Sequence, residues 1–481
     1  MTCSSLGTAA LRLAGVVLVG CALAAPAAQA AFPGGNGKIT FSSDRERPFQ
    51  SFFSREIFSM RPDGTGLVRL TDNTGTSWND FDPSWSADGR KIAFVRADSS
   101  GEGSGIFIHV MNADGSGITK VPNTGFNAGD PAWSPDGERI VFSNVPGPQC
   151  GYTGDECRAN QGGYDIYTIR PDGSGLTRLT TAARNDIDPA WSPDGSQIAF
   201  VSNRLSDDAL SGHHLLHRMN PDGSGQTRMA PFSTDDGHPN WSPDGRRIVF
   251  HSGRPPHDGG RKIWVMNADG TDPVRVSHGG GVVDRVPSWS PDGHKIAFTS
   301  SLGGWRIYSI DDDGTNRALL TDSRGSFDFD PDWQPVPPGN RPPSCSGVTA
   351  STAELSPADR SLQLVALAGA GDPDGDIVTL SVTGVTQDEP LTGGDDKTTP
   401  DAFSKQLTRE PSVAALLEND PNEVYLRAEA RNGRDGRVYR VAFTAEDIYG
   451  ATCSGTVSVS VPRKAGRPAV DSAPPSHDSF G

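Results

Sequence analysis

Short runs in which apolar and polar residues alternate fill the chain from about residue 36 to 335, each closed by a turn signal. Lys91-Ile92-Ala93-Phe94, Arg139-Ile140-Val141-Phe142, Gln197-Ile198-Ala199-Phe200, Arg247-Ile248-Val249-Phe250 and Lys295-Ile296-Ala297-Phe298 are copies of one such run. Before each stands a tryptophan and a Ser-Pro-Asp-Gly or Ser-Ala-Asp-Gly turn, with Pro where φ near −65° is wanted and Gly where φ can be positive. A third run, of the Asp165-Ile-Tyr-Thr-Ile169 type, ends at a second Asp-Gly turn. A fourth, of the Thr177-Arg-Leu-Thr180 type, closes the unit. The pattern predicts four strands per repeat joined by hairpins.

The repeat sets the architecture. Its tryptophans lie at 85, 133, 191, 241, 289 and 333, which suits a four-stranded propeller blade and is too long for a leucine-rich or tetratricopeptide unit. The end copies are complementary: Gly37-Lys-Ile-Thr-Phe-Ser42 lacks a tryptophan strand before it, and Trp333 has no strands after it. Pairing them removes two open sheet edges. The fold class expected is all-β, a six-bladed β-propeller followed by a small β-sandwich.

The blade motif D-P-x-W-S-P-D-G-x-x-I-A-F, followed by I-Y-x-M, D-G and R-L-T, resembles the TolB-type (WD40-like, PD40) propeller repeat, also seen in prolyl-oligopeptidase-like proteases. The resemblance covers about residues 36–335. It implies an innermost tryptophan strand and a central channel. TolB proteins carry an α/β domain before the propeller and the proteases a hydrolase domain after it; neither is expected here.

Five prolines between Pro335 and Pro343 mark a semi-rigid linker, placed at 337–343. Alternating runs at Ser361, Ile377, Val424, Val438 and Thr456 then predict a β-sandwich over 344–463, with an unstructured tail over 464–481. Asn340-Arg-Pro-Pro343, Asp372-Pro-Asp-Gly-Asp376 and Ala445-Glu-Asp447-Ile-Tyr-Gly450 resemble the calcium elements of cadherin- or immunoglobulin-like modules. That resemblance makes Asp372, Asp374, Asp376 and Asp447 candidate calcium ligands. The spacing of the three aspartates around a glycine also suits a hard cation, or else an acidic turn that caps its own amides.

Charge and cysteine usage narrow the setting. Lys+Arg 43 against Asp+Glu 59 leaves a net charge of −16, which argues against nucleic acid and anionic lipid as partners. Arg12, the apolar run from Leu13 to Ala25 and Ala28-Gln-Ala30 form a signal peptide over 1–30 with the mature chain from Ala31; Leu18-Val-Gly-Cys21 alternatively fits a lipobox. Secreted, extracellular or periplasmic placement follows, with no later membrane span. The remaining cysteines pair as Cys150 with Cys157 and Cys345 with Cys453.

Catalytic motifs are absent: no G-x-S-x-G, HExxH, CxxC or Walker sequence occurs. The serine of the W-S-P-D-G unit recurs, which marks a turn residue. His109 and His217 fall where other repeats have Phe58, Tyr167, Trp264 and Tyr308, so they read as flat packing residues. Five residues before the tryptophans stand Asp80, Ala128, Asp186, Asp236, Asp284 and Asp328; three before them stand Asp82, Asp130, Asp188, His238, Val286 and Asp330. On a regular strand both sets face one side, putting up to nine carboxylates at the channel mouth and favouring a cation or an inserted basic loop. The alternative is that each aspartate caps its own loop. The symmetry-breaking residues are His238 and Arg285. The function expected is a monomeric, non-enzymatic platform docking an envelope or extracellular protein or glycan; the alternative is a hydrolase or polysaccharide lyase at the same mouth.

Overall fold

The computed structural model describes residues 34–462 and 477–478, apart from 46–54, 99–104, 146–162, 183, 205–212, 230–234, 256–258, 323–324, 356–360, 388–401, 405–420 and 428–436. The signal segment, Cys21, Cys150 and Cys157 lie outside these residues. All regular structure among them is β.

Six four-stranded antiparallel sheets lie between Gly35 and Val336, each named here for the tryptophan of its first strand. First strands are Trp78–Trp85, Gly129–Trp133, Asp186–Trp191, Gly237–Trp241, Asp284–Trp289 and Asp328–Val336. The last of these pairs with Gly35–Ser43, Ile39 opposite Trp333, so the Trp333 sheet takes strands from both halves of the chain. Successive first strands contact one another, and Asp328–Val336 touches both Asp284–Trp289 and Trp78–Trp85. The succession closes on itself.

Burial between sheets holds it. Trp191 packs with Ile198, Phe200 and Met219 of its own sheet and with Val141, Ile166 and Leu179 of the Trp133 sheet, all in one buried cluster. Within sheets, an aromatic ladder crosses the second and third strands: Phe41 on Phe58, Phe142 on Tyr167 and Phe298 on Tyr308 at 5.8–6.2 Å. His109 against Phe94 and His217 against Phe200 take the same slot at 5.6 and 5.5 Å. The repeated serine is a turn brace: Ser192 Oγ donates to Asp194 at 2.6 Å and accepts from the Gln197 N–H at 2.9 Å.

The C-terminal residues form two more four-stranded sheets, one built on Leu362–Ala368 and Glu423–Arg427, the other on Val378–Gln387, Arg437–Asp447 and Thr452–Val461. Val365, Leu367, Val424, Tyr439, Val441 and Val459 share the core between them. The Cys345–Cys453 disulfide ties the start of this unit to its last long strand. His477–Asp478 pairs with Thr386 and Gln387, so part of the segment expected to be unstructured adds a short strand to an open sheet edge.

The C-terminal unit packs directly against the propeller. The turn after Asp447 inserts Ile448 and Tyr449, 9 % and 5 % exposed, beside Leu70, Trp85, Ile92 and Met111 of the Trp333 and Trp85 sheets. The Tyr449 hydroxyl donates to the Asp88 carbonyl at 2.7 Å, and Gln334 Nε2 donates to the carbonyls of Gly89 and Ile448. Gly89 has φ +67°, and a Cβ there would meet Pro335 O at 2.3 Å and Tyr449 Cε1 at 2.8 Å, so only glycine fits. Glu446 pairs with Lys38 and Arg61, and Arg90 with Asp376. The proline-rich stretch is short as a tether: Pro335 and Val336 still belong to a strand, at an edge where proline costs no ladder bond.

Candidate functional site

One backbone irregularity, repeated six times, builds the mouth of the central channel. The ladder between first and second strands breaks at the residue before a proline in every repeat, Asp-Pro in four and His-Pro or Val-Pro in the other two, for example between Phe81 and Ser84 and between Ile187 and Ala190. The residue before that proline is left-handed in all six copies: Asp82, Asp130, Asp188, His238, Val286 and Asp330 have φ between 48° and 56°. Such a bulge places two residues against one, and proline can follow because it has no N–H to contribute. Aspartate tolerates this conformation; β-branched Val286 is strained by it.

The bulge overturns the expected alternation. The six left-handed residues, with the proline and the residue after each, Asn240 and Asp332 among the latter, surround a central cavity of about 120 Å³. The aspartates two positions earlier do not line it. Asp80 lies in a bidentate pair with Arg96 at 2.7 and 2.8 Å; Asp186 pairs with Arg204, Asp236 with Arg254, Asp284 with Arg317 and Asp328 with Arg45, at 2.8–3.0 Å. Each of these carboxylates is buried. Of the nine carboxylates expected at the mouth, four line the cavity, where Asp332 joins them.

A signal for this was in the sequence. Three copies end their second strand in Ser-x-Arg, at Ser43-Asp44-Arg45, Ser202-Asn203-Arg204 and Ser252-Gly253-Arg254, while the copy with Ala128 in place of the aspartate has Ser143-Asn144-Val145. The signal is partial: the copies with Asp80 and Asp284 have Asp98 and Leu302 at that offset and take their bases from Arg96 and Arg317.

Around the cavity the charges are uneven. His238 Nδ1 stands 3.0 Å from Asp188 Oδ2, and the His238 backbone N–H donates to that oxygen at 2.9 Å. Burial opposes the imidazolium, but the carboxylates of Asp188, Asp130 and Asp82 outweigh it and raise His238 to about 9. Asp188 is correspondingly held down at about 2: burial pushes it up, and His238 more than reverses this. Asp130, buried and next to Asp188, rises to about 6 although Ser143 Oγ donates to it at 2.7 Å. Asp82 rises well above the usual carboxylate range through burial and the charges of Asp330 and Asp130. His251, stacked 5.2 Å from His238, is kept neutral by burial and by that imidazolium.

The ligand atoms of Asp130, Asp188 and His238 lie within 4.8 Å of one another, so this trio could hold a divalent cation once His238 gives up its proton. Asp372, Asp374 and Asp376 satisfy the same distance limit on the C-terminal unit. There Asp372 Oδ1 accepts from the Asp374 N–H at 2.7 Å, Arg341 pairs with Asp374, and Arg90 with Asp376. Asp447 stands in the neighbouring turn, capping the N–H groups of Tyr449 and Ala451 and accepting from Asn340.

Sequence and structure comparisons bear on the propeller as a fold. A family model described as the TolB beta propeller domain matches residues 157–254 and 223–337. Over residues 157–337 the propeller is of the TolB type. A TolB homolog from Chlorobium luteolum is 30 % identical over 154 residues, 32 % of this chain and 30 % of its own length. Dipeptidyl-peptidase 5 of Porphyromonas gingivalis is 38 % identical over 48 residues, 10 % of this chain and 7 % of that protein. The matches thus span less than a third of either relative. Among solved structures, hydrazine synthase of Kuenenia stuttgartiensis superposes with a TM-score of 0.50 at 14 % identity over 89 % of this chain and 69 % of its own, and shares the fold alone. TolB from Acinetobacter baumannii gives a TM-score of 0.48 at 19 % identity, covering 63 % of this chain and 68 % of that one.

Proposed function

We propose that this chain is an exported, non-enzymatic docking protein. Its six-bladed propeller, over 31–336, presents the channel mouth to an envelope or extracellular partner, and its immunoglobulin- or cadherin-like unit, over 344–463, braces the opposite end. The observation that carries the reading is the left-handed bulge before proline, repeated six times, which turns one side chain from every blade toward a single cavity. Strain at such positions is retained where it serves a site. Export is supported by the Cys345–Cys453 disulfide, which needs an oxidising compartment.

Binding fits the mouth better than acid-base catalysis. The Asp188–His238 pair does break the repeat symmetry, as an active site would. Its proton is locked, however: His238 at about 9 and Asp188 at about 2 keep imidazolium and carboxylate fixed across the neutral range, so neither exchanges a proton with a substrate readily.

The test compares material captured from the native envelope or culture medium by the wild-type chain and by an Asp82→Asn/Asp130→Asn/Asp330→Asn variant with the same melting curve. A partner held by the first and lost by the second supports the reading. Equal capture by both removes the mouth from the docking surface.

A further inference from the structure

One arginine beside the mouth forms no ion pair among the described residues, with Asp330 and Asp82 attracting it only from beyond contact distance. Four positions before the tryptophan, the other repeats carry Phe81, Gly129, Ile187, Gly237 and Phe329, and Phe81 and Ile187 pack there against the buried clusters between sheets. Arg285 occupies the same slot. Its guanidinium lies over the Trp305 ring at 4.4 Å and beside Phe329 at 5.1 Å. Its Nε–H is buried and meets no acceptor, and it forms no ion pair among the described residues. Arg55 lies 4.2 Å from the centre of the same Phe329 ring, with Asp330 a full 4.0 Å away as its nearest carboxylate.

Two guanidinium groups thus share one aromatic ring, in a slot the repeat elsewhere fills with apolar or no side chain. Aromatic faces orient a cation but do not satisfy its N–H donors. Desolvating a charge without a partner costs free energy, and a planar fork with free donors matches a carboxylate. We propose that Arg285, with Arg55, forms an anion subsite at the channel mouth that takes a carboxylate of an acidic peptide segment. This rests on the mouth being the docking face. A peptide is favoured over an acidic sugar because Arg285 covers a face of the Trp305 ring on which a sugar would otherwise stack.

The probe is an N-acetylated hexaglutamate peptide titrated calorimetrically into the purified full-length chain at low salt, with hexaglutamine and a trigalacturonate as controls. Binding of hexaglutamate alone is expected, weakening with added NaCl. Arg285→Gln should weaken it about tenfold or more, and Arg285→Lys by a smaller factor of roughly 3 to 5, because lysine keeps the charge and loses the fork. Arg285→Phe restores the residue of Phe81 and Phe329, and should abolish binding while leaving the melting temperature unchanged or raised. Hexaglutamine binding as tightly, an unaltered affinity in Arg285→Gln, trigalacturonate as the only ligand, or a lower melting temperature in Arg285→Phe would each overturn the proposal. The two readings fail separately. Loss of the captured partner in the Asp82/Asp130/Asp330 variant with no effect of Arg285 on hexaglutamate spares the docking mouth and ends the subsite; the reverse pattern does the opposite.

Discussion

The Asp188–His238 pair makes the stability of the propeller depend on pH in a direction fixed by its geometry. His238 is raised from 6.5 to about 9, so imidazolium is favoured in the folded chain. Its contribution is complete below pH 6.5 and disappears as pH rises through about 9. At about 1.4 kcal/mol per pH unit, the span between these values bounds the effect near 3 kcal/mol. The His238 side chain is 35 % exposed to the channel, and screening there reduces the bound to roughly 1–2 kcal/mol. Asp188 is the same interaction seen from its partner and is not added. Asp130 at about 6 and His251 well below 6.5 titrate beneath this window. The perturbation is His238→Gln, and the assay is urea unfolding of variant and wild type at pH 6.5 and 9.5, followed by tryptophan fluorescence. The wild type should be the more stable at pH 6.5, and the difference should shrink by about 1–2 kcal/mol at pH 9.5. Tyrosine and lysine ionisation affects both chains alike and cancels. A difference that is constant with pH, or that grows at pH 9.5, would refute the ion pair.

Other outcomes follow from individual contacts. Asp236→Asn leaves the Arg254 guanidinium buried without its counter-charge, both side chains being under 10 % exposed, and should cost about 3–5 kcal/mol in chemical unfolding; Asp236→Ala with Arg254→Val, the combination found at Ala128 and Val145, should recover most of that loss. Tyr449→Ala empties a packed site and breaks the bond to Asp88, so a loss of about 3–5 kcal/mol is expected, together with faster proteolytic release of the C-terminal unit. Reducing Cys345–Cys453, whose closed loop spans 108 residues, should lower the stability of the C-terminal unit by up to about 4–5 kcal/mol, measured as a shift of its own transition.

The propeller was legible in the sequence because its information is periodic. Ile and Phe at fixed offsets from a Ser-Pro-Asp-Gly turn specify a hairpin, and the Ile39–Trp333 pairing follows from two incomplete copies that each need an edge. The stacking slot of His109 and His217 was legible for the same reason: aligned repeats share one environment. The direction of the mouth aspartates was not. A period of two holds only while the ladder is regular, and the left-handed residue before each proline breaks it at the point where the site begins. Nor does composition show how Ile448 and Tyr449 dock, since a Pro-rich stretch and an Asp-Ile-Tyr-Gly turn describe local chain and not what lies across from it.

The bulge also explains how a sixfold scaffold can carry an asymmetric site. Where every copy has the same backbone, a change of one side chain alters the mouth without altering the fold: His238 introduces a cation among carboxylates, and Val286 withdraws a carboxylate while keeping φ at 52°. A valine gains nothing from that conformation, whereas an aspartate tolerates it. Its presence beside Arg285 is therefore a choice about charge and not about backbone. An aspartate at 286 would stand next in sequence to Arg285, which forms no ion pair among the described residues, and would oppose its charge. The two departures from the repeat are adjacent, and the cavity lining runs as an acidic arc, from Asp330 and Asp332 through Asp82 and Asp130 to Asp188, completed by His238 and Val286, with Arg285 next to Val286 and outside the lining. A ligand with charges of both signs can then bind in a single orientation, because turning it end for end would set like charges opposite one another.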